Sequence, residues 1–161
     1  MTKSIYVAGP LFSVAERMFL EHLVDTLAKA SGLDATNDFF LPHRDSDEVG
    51  NDATPQTIFE LDMQHLDPAT TVVGFLDGQD VDSGTCIELG YAYAKGKKIF
   101  GIITDFRASF DTDPGTERPN LMVWGVCEEG HTLFQALDSL ATAFAEHVGG
   151  NNGHMSKPRK K

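Results

Sequence analysis

Long apolar runs, paired cysteines and freely distributed cations are what this 161-residue chain has least of. No apolar stretch approaches the roughly 18 residues needed to cross a bilayer. The opening from Met1 to Gly9 holds too short an apolar stretch for a secretory leader and leads straight into a strand-like segment. These absences predict a cytoplasmic protein with no membrane partner. The two cysteines, Cys86 and Cys127, form no CxxC and are expected to be reduced core residues. Six histidines (His22, His43, His65, His131, His147, His154) include no HxxxH or HExxH pair, so neither a metal nor a cofactor is expected.

Cations number 13 against 24 acids, and four of the 13 (Lys157, Arg159, Lys160, Lys161) crowd into the last five positions. Every acid precedes residue 150, which leaves the body with 9 cations and a net charge near −15. Such a surface repels polyanions, so no nucleic-acid polymer is expected as a partner, while a small neutral ligand is permitted. The length suits one domain with a real core, expected over residues 1–148, followed by a flexible basic tail over 149–161.

Three standard α/β signatures are missing as well: there is no GxxxxGK[ST], no GxGxxG after the first strand and no GxSxG. What is present is an alternation of strand and helix signals. Ile5 to Gly9 reads as a short buried strand ended by Gly9-Pro10. Ser13 to Glu16 supplies a capping box, and Ala15, Phe19, Leu23 and Leu27 recur every four residues in a helix that stops near Gly32. Phe39 to Pro42 reads as a second strand, and His43 to Ala53 as a polar loop placed to overhang a site. Thr54-Pro55 opens a helix that turns Ile58, Leu61 and Leu66 inward and ends near Asp67-Pro68. Thr70 to Leu76 and Ile99 to Thr104 are strands. Between them lie the acidic loop Asp77 to Asp82 and a helix closed by Lys95-Gly96-Lys97-Lys98. Asp105 to Pro119 reads as a long loop and Asn120 to Val126 as an ordered, mostly apolar segment. Leu133, Ala136, Leu137, Leu140 and Phe144 form the inner face of a last helix. This order predicts a three-layer α/β/α sandwich on a mainly parallel, flavodoxin- or Rossmann-like sheet of about five strands. Ligands bind such sheets at the carboxyl ends of the strands, beside a topological switch point.

The chemistry concentrates in Asp82-Ser83-Gly84-Thr85-Cys86-Ile87-Glu88-Leu89-Gly90-Tyr91-Ala92. Asp82 and Glu88 stand six residues apart across a Gly-containing turn into a helix, so both can face one pocket. Gly90, Ala92 and Ala94 give that helix the small residues of one packed tightly on a sheet, where an unpaired charge is costly. Spacing alone leaves two readings open: a functional pair, or a helix-opening Asp with a salt-bridged Glu. Asp62 lies one turn after Ile58 and one before Leu66, on or beside the apolar stripe, either as a tolerated flank residue or as a third functional acid. Grouped carboxylates suit reactions at an anomeric carbon with an oxocarbenium-like transition state. One stabilises or traps the cation, and a second, kept protonated by its charged neighbour, protonates the departing atom.

Tyr6-Val7-Ala8-Gly9-Pro10-Leu11-Phe12, the D-x-G-x-x-x-E-L-G-Y-A block from Asp82 to Ala92, and Asn120-Leu121-Met122-Val123-Trp124-Gly125 together resemble the nucleoside 2-deoxyribosyltransferase family. The resemblance spans about residues 4–148, with the motifs in family order. It implies exchange of bases between 2′-deoxynucleosides and free nucleobases, by a ping-pong route through a glutamyl-deoxyribosyl intermediate. By this resemblance Glu88 is the nucleophile, Asp82 the acid that holds the sugar hydroxyl, and Asp62 the acid that exchanges a proton with the base. Tyr6 matches the aromatic residue beside the nucleophile, and Gly9 and Phe12 the glycine turn and aromatic wall around the base. Asn120 and Met122 match a segment that reaches the 5′-hydroxyl end of the sugar, commonly from a neighbouring subunit, which implies a homo-oligomer with shared active sites. As residues alone, Tyr6 also reads as a core tyrosine, Met122 as a packing residue and His43 as a surface histidine.

The same carboxylates fit two further readings. One is an N-glycosidase of (deoxy)nucleosides or nucleoside 5′-monophosphates, with water as acceptor; the other is a non-catalytic nucleotide-sensing domain on the same scaffold. The Pro10-Leu11-Phe12 loop and the acidic body favour free nucleosides over nucleotides.

Overall fold

Period-two alternation in the first strand decides the architecture, because Ile5 and Val7 point to one side of the sheet and Tyr6 and Ala8 to the other. The computed structural model describes residues 3–45, 50, 53–105, 119–128 and 130–150, with the backbone of 151–153. Along it run β1 (Ile5–Ala8), α1 (Val14–Ser31), β2 (Phe39–Phe40), α2 (Pro42–Asp45), α3 (Pro55–Leu66), β3 (Thr71–Phe75), α4 (Ser83–Ala94), β4 (Lys98–Ile102), α5 (Leu121–Val126), β5 (Leu133–Phe134) and α6 (Leu137–Gly153). The strands pair in the order β2-β1-β3-β4-β5, all parallel. This is the doubly wound order of flavodoxin-like sheets, with its switch point between β1 and β3.

Each face of the sheet has its own core. Ile5, Val7, Phe39, Val73 and Phe100 bury under α1 and α6, where Leu23, Leu27 and Phe144 meet them. Tyr6, Ala8, Phe40, Val72 and Ile99 bury under α3, α4 and α5, against Leu61, Leu89 and Val123. The expected three-layer α/β/α fold is therefore the one observed. Helix boundaries follow local chemistry. Ser13 and Glu16 close a capping box on α1, and Gly32, at φ 74°, ends it in the left-handed conformation. Thr54 caps α3 with Pro55 in its first turn.

Several boundaries differ from the sequence reading. Leu133 belongs to β5, not to the last helix. It pairs with Gly101 of β4, and a two-residue strand is too short for an alternating pattern to reveal. Ala136 precedes α6 and is exposed. The second strand stops at Phe40, since Pro42 opens the single turn of α2, which Asp45 secures by accepting the Leu41 N–H at 2.8 Å. Ala15 is exposed at the start of α1, where Leu20 and Val24 join the buried stripe instead. Ile58 is not turned inward but stays 41% exposed. α3 starts at the carboxyl edge of the sheet and runs back to the amino edge, where β3 begins, so Ile58 sits in the turn farthest from its buried end at Leu61 and Leu66. α6 continues through Gly149 and Gly150 to Gly153, since glycine weakens a helix without forbidding it. Residues 154–161 of the expected tail, 106–118 of the long loop, and 46–49 and 51–52 of the polar loop lie outside the described residues. Cys86 and Cys127 are free, and burial pushes the Cys127 thiol up to about 12. Among the described residues no helix is long and apolar enough to cross a membrane, and no group of three His, Cys, Asp or Glu could hold a metal.

Gly9 has a packing reason as well as its expected place at the site. A Cβ there would meet Leu20 Cδ2 at 3.0 Å and Phe75 Cβ at 3.1 Å. Gly9→Ala is expected to cost about 1–3 kcal/mol in urea unfolding with an unchanged m value. A midpoint equal to the parent's would show that the β1–α1 turn has slack.

Candidate active site

At the switch point, two side chains remote in sequence meet. Tyr6 points from β1 into the core beneath α4 and is fully buried; its hydroxyl donates to Glu88 Oε1 at 2.6 Å. Glu88 stands on the second turn of α4, which starts at the carboxyl edge of β3, the strand beside β1. Asp82 starts that helix. Its Oδ2 accepts the Thr85 N–H at 2.9 Å and the Thr85 hydroxyl at 3.2 Å. Gly84 leaves the room this requires, since a Cβ there would lie 3.1 Å from Asp82 Oδ2. The helix-opening role is thus real, yet the carboxylate also lies within electrostatic reach of Glu88. Asp62, half-buried on the second turn of α3, acts electrostatically on both Tyr6 and Glu88.

Of the remaining expected residues, Gly9 follows directly on β1, and Phe12, Asn120 and Met122 have local surroundings of their own. Phe12 is 74% exposed on the β1–α1 turn, whose carbonyls at Leu11 and Phe12 accept from Arg17 Nη1 at 2.7 and 3.2 Å. Asn120 caps α5 by accepting the Met122 N–H at 2.9 Å. Asn120 and Met122 border a cleft of about 610 Å³ between α4 and α5, walled by Leu76, Val81, Leu89 and Val123. Tyr6, Asp62 and Glu88 are not among its lining residues, and Cys86 and Gly90 present the other side of α4 to it. The structure brings Tyr6, Asp62, Asp82 and Glu88 together within one chain, and no hydrogen bond ties Phe12, Asn120 or Met122 to them.

The nucleoside 2-deoxyribosyltransferase family model matches residues 5–137. The chain belongs to this family. An uncharacterized Ureaplasma parvum protein is 33% identical over 114 residues, which cover 64% of this chain and 71% of that one. Among solved structures, a conserved protein of Enterococcus faecalis superposes with a TM-score of 0.71 at 24% identity, covering 91% of this chain and 99% of the other. A Leishmania mexicana 2-deoxyribosyltransferase gives 0.61 at 23% identity, covering 90% and 98%. A 2-deoxyribosyltransferase of Bacillus psychrosaccharolyticus gives 0.62 at 22%, covering 85% and 89%. These likenesses show that the fold is shared.

The electrostatics of this cluster follow from burial. Glu88 is pushed up to about 7, first by desolvation and then by the Asp62 and Asp82 charges, against the opposing pull of the Tyr6 hydrogen bond. Asp62 is raised to about 6, again by desolvation, with His65 opposing. The Tyr6 hydroxyl is raised far above its ordinary value by burial and by the Glu88 and Asp62 charges, so it stays a donor. Near neutral pH the pair Glu88 and Asp62 therefore passes through a state holding one proton between them. Sequence reasoning gave no place to His65, whose ring stacks on Phe40, which in turn stacks on Tyr6. The signal was there, in a histidine three residues after Asp62 on an apolar stripe.

Because both acids bind protons more tightly folded than unfolded, their own contribution to stability falls as pH rises from about 4 to about 7. Glu88→Gln keeps the shape and the acceptor for Tyr6 but removes the buried charge. It is expected to gain about 1–3 kcal/mol at pH 8, shrinking to nothing near pH 4, in denaturant unfolding. A variant no more stable than the parent at pH 8 would show that this carboxylate is not held at a cost.

Proposed function

We propose that the protein is a nucleoside 2-deoxyribosyltransferase that exchanges the purine or pyrimidine base of 2′-deoxynucleosides, with Glu88 as the nucleophile. The observation that carries this reading is the Tyr6–Glu88 hydrogen bond at 2.6 Å, set within electrostatic reach of Asp62. In the first half-reaction the Glu88 carboxylate forms a bond to C1′ as the C1′–N bond breaks, and Asp62 gives its proton to the departing base. In the second, a new base attacks C1′, Asp62 takes up the base proton, and the ester to Glu88 breaks. Tyr6 donates to one Glu88 oxygen and so orients the other. Asp82 can cap α4 and still accept a sugar hydroxyl, because a carboxylate has acceptor capacity on both oxygens.

On this reading Gly9 and Phe12 border the base, and Asn120 and Met122 serve the 5′-hydroxyl end of a neighbour's sugar in a homo-oligomer. Two observations support the neighbour: the cleft that Asn120 and Met122 border is not lined by Glu88, and Ile87, Leu121 and Met122 are exposed apolar residues on α4 and α5, Met122 at 77%.

The test is to incubate a deoxynucleoside with a second free base. A new nucleoside is expected to appear faster than free deoxyribose; free sugar and base alone would mean hydrolysis. Glu88→Ala is expected to lower exchange by about 10³-fold or more, and exchange at the parental rate would reject the nucleophile assignment. The pH profile of kcat/KM is expected to be bell-shaped, with its maximum between the values of about 6 and about 7 that bracket the one-proton state. A profile flat from pH 5 to 8 would remove the coupled acids from the rate.

A further inference from the structure

Phe40 of β2 and Val72 of β3 are the cross-strand partners of Tyr6, and both are fully buried on its face of the sheet. One flank of the Tyr6 phenol is therefore aliphatic and the other is a ring. Tyr6 and Phe40 stack with centroids 5.3 Å apart and planes 29° from parallel. Phe40 carries a second ring, that of the buried His65 of α3, which lies flat on it at 4.0 Å and 9°. The three rings lead to the Tyr6 hydroxyl, which donates to Glu88 Oε1 at 2.6 Å.

β2 is the edge strand and only two residues long, and its other residue, Phe39, turns to the opposite core. Phe40 is thus all that β2 offers Tyr6. Its backbone is pinned on both sides by α2: Arg44 Nη2 donates to the Phe39 carbonyl at 2.8 Å, and Asp45 accepts the Leu41 N–H at 2.8 Å. Such fixing matters because the second side-chain torsion of tyrosine is broad, so rotamer preference alone does not place the ring. The hydroxyl is the far end of the side chain, where a small swing becomes a large displacement. Moving it by about 1 Å would stretch the 2.6 Å bond past the roughly 3.5 Å at which a hydrogen bond is lost. A misplacement of about 1 Å in a reacting group can cost about 10²-fold in rate.

We propose that Phe40, steadied by His65, is a positioning residue for the nucleophile: its ring holds the Tyr6 phenol where the hydroxyl meets one Glu88 oxygen, leaving the other aimed at C1′. The inference rests on the exchange activity proposed above. Phe40 touches no reacting atom, and its influence passes through the Tyr6 hydroxyl. Residues that act through one shared contact are non-additive when both are changed, whereas a residue that only fills the core adds its effect independently.

Phe40→Leu keeps an apolar side chain and removes the flat face, while Tyr6→Phe keeps the stack and removes the hydroxyl. Assayed well below the thermal unfolding of each variant, both are expected to lower kcat for base exchange by about tenfold, with KM within about twofold of the parent. The double variant is expected to lose about tenfold as well, rather than the product of about 100-fold. His65→Leu is expected to lower kcat by about threefold, and His65→Phe, which lays a flat ring back on Phe40, to recover that loss. His65→Leu takes the place of Phe40→Leu in the double variant if Phe40→Leu does not fold. Multiplying losses in the double variant, an unchanged kcat in Tyr6→Phe or Phe40→Leu, or no recovery in His65→Phe would overturn this inference alone. A parent protein that exchanged no base would overturn the activity and the inference with it.

Discussion

The hydroxyl of Tyr6 against the carboxylate of Glu88 is the contact around which the rest of the structure is arranged. It exists because a buried strand alternates. With Ile5 and Val7 committed to the core under α1 and α6, Tyr6 must face α4, and the parallel pairing of β1 with β3 brings the helix after β3 over it. A buried phenol needs an acceptor and a buried carboxylate needs a donor, so each side chain meets the cost of the other. A shift of one residue in β1 would send Tyr6 to the opposite face and leave Glu88 without its donor. Register, rather than any loop, sets this part of the site.

Burial then makes the carboxylates something a surface pair cannot be. Desolvation is the largest influence on both Glu88 and Asp62, and on Glu88 it is ahead of the neighbouring Asp62 and Asp82 charges. A site tuned by desolvation depends on the helices around it staying closed on the sheet. Small residues along α4, Ala92 among them, let that helix sit low, and Lys97 ties the end of α3 down by donating to the Asp67 and Ala69 carbonyls at 2.7 and 2.6 Å. Tyr91 and Lys95 of the α4 end both reach the Asp67 side chain. The two helices that bear acids are thus fastened together at the ends far from the acids, leaving the carboxyl edge of the sheet as the open end.

Much of this was legible in the sequence, for identifiable reasons. Capping chemistry is local, so Ser13 with Glu16, Thr54 with Pro55, and Gly32 each marked a boundary the structure keeps. Asp62 stood out because an acid on an apolar stripe needs an explanation. The misplaced residues have a common cause: the outcome depends on where the sheet ends. Ile58 has the right period for burial but lies beyond the packed layer, and Leu133 joins a two-residue strand whose only signature is its partner, β4. His65 was passed over because a lone histidine is informative only once its stacking partner is known, and Phe40 is 25 positions away in sequence.

The two ends of the expected site fall on different sides of α4, and this bears on how the chain would bind a nucleoside. Glu88 turns toward β1 and α3, whereas Cys86 and Gly90 turn toward the cleft bordered by Asn120 and Met122. The proposed activity reads the carboxylate end and the 5′-hydroxyl end of a site as coming from two copies. The exposed Ile87 beside Glu88 and the exposed Leu121 and Met122 on α5 are the apolar surfaces such a meeting would cover.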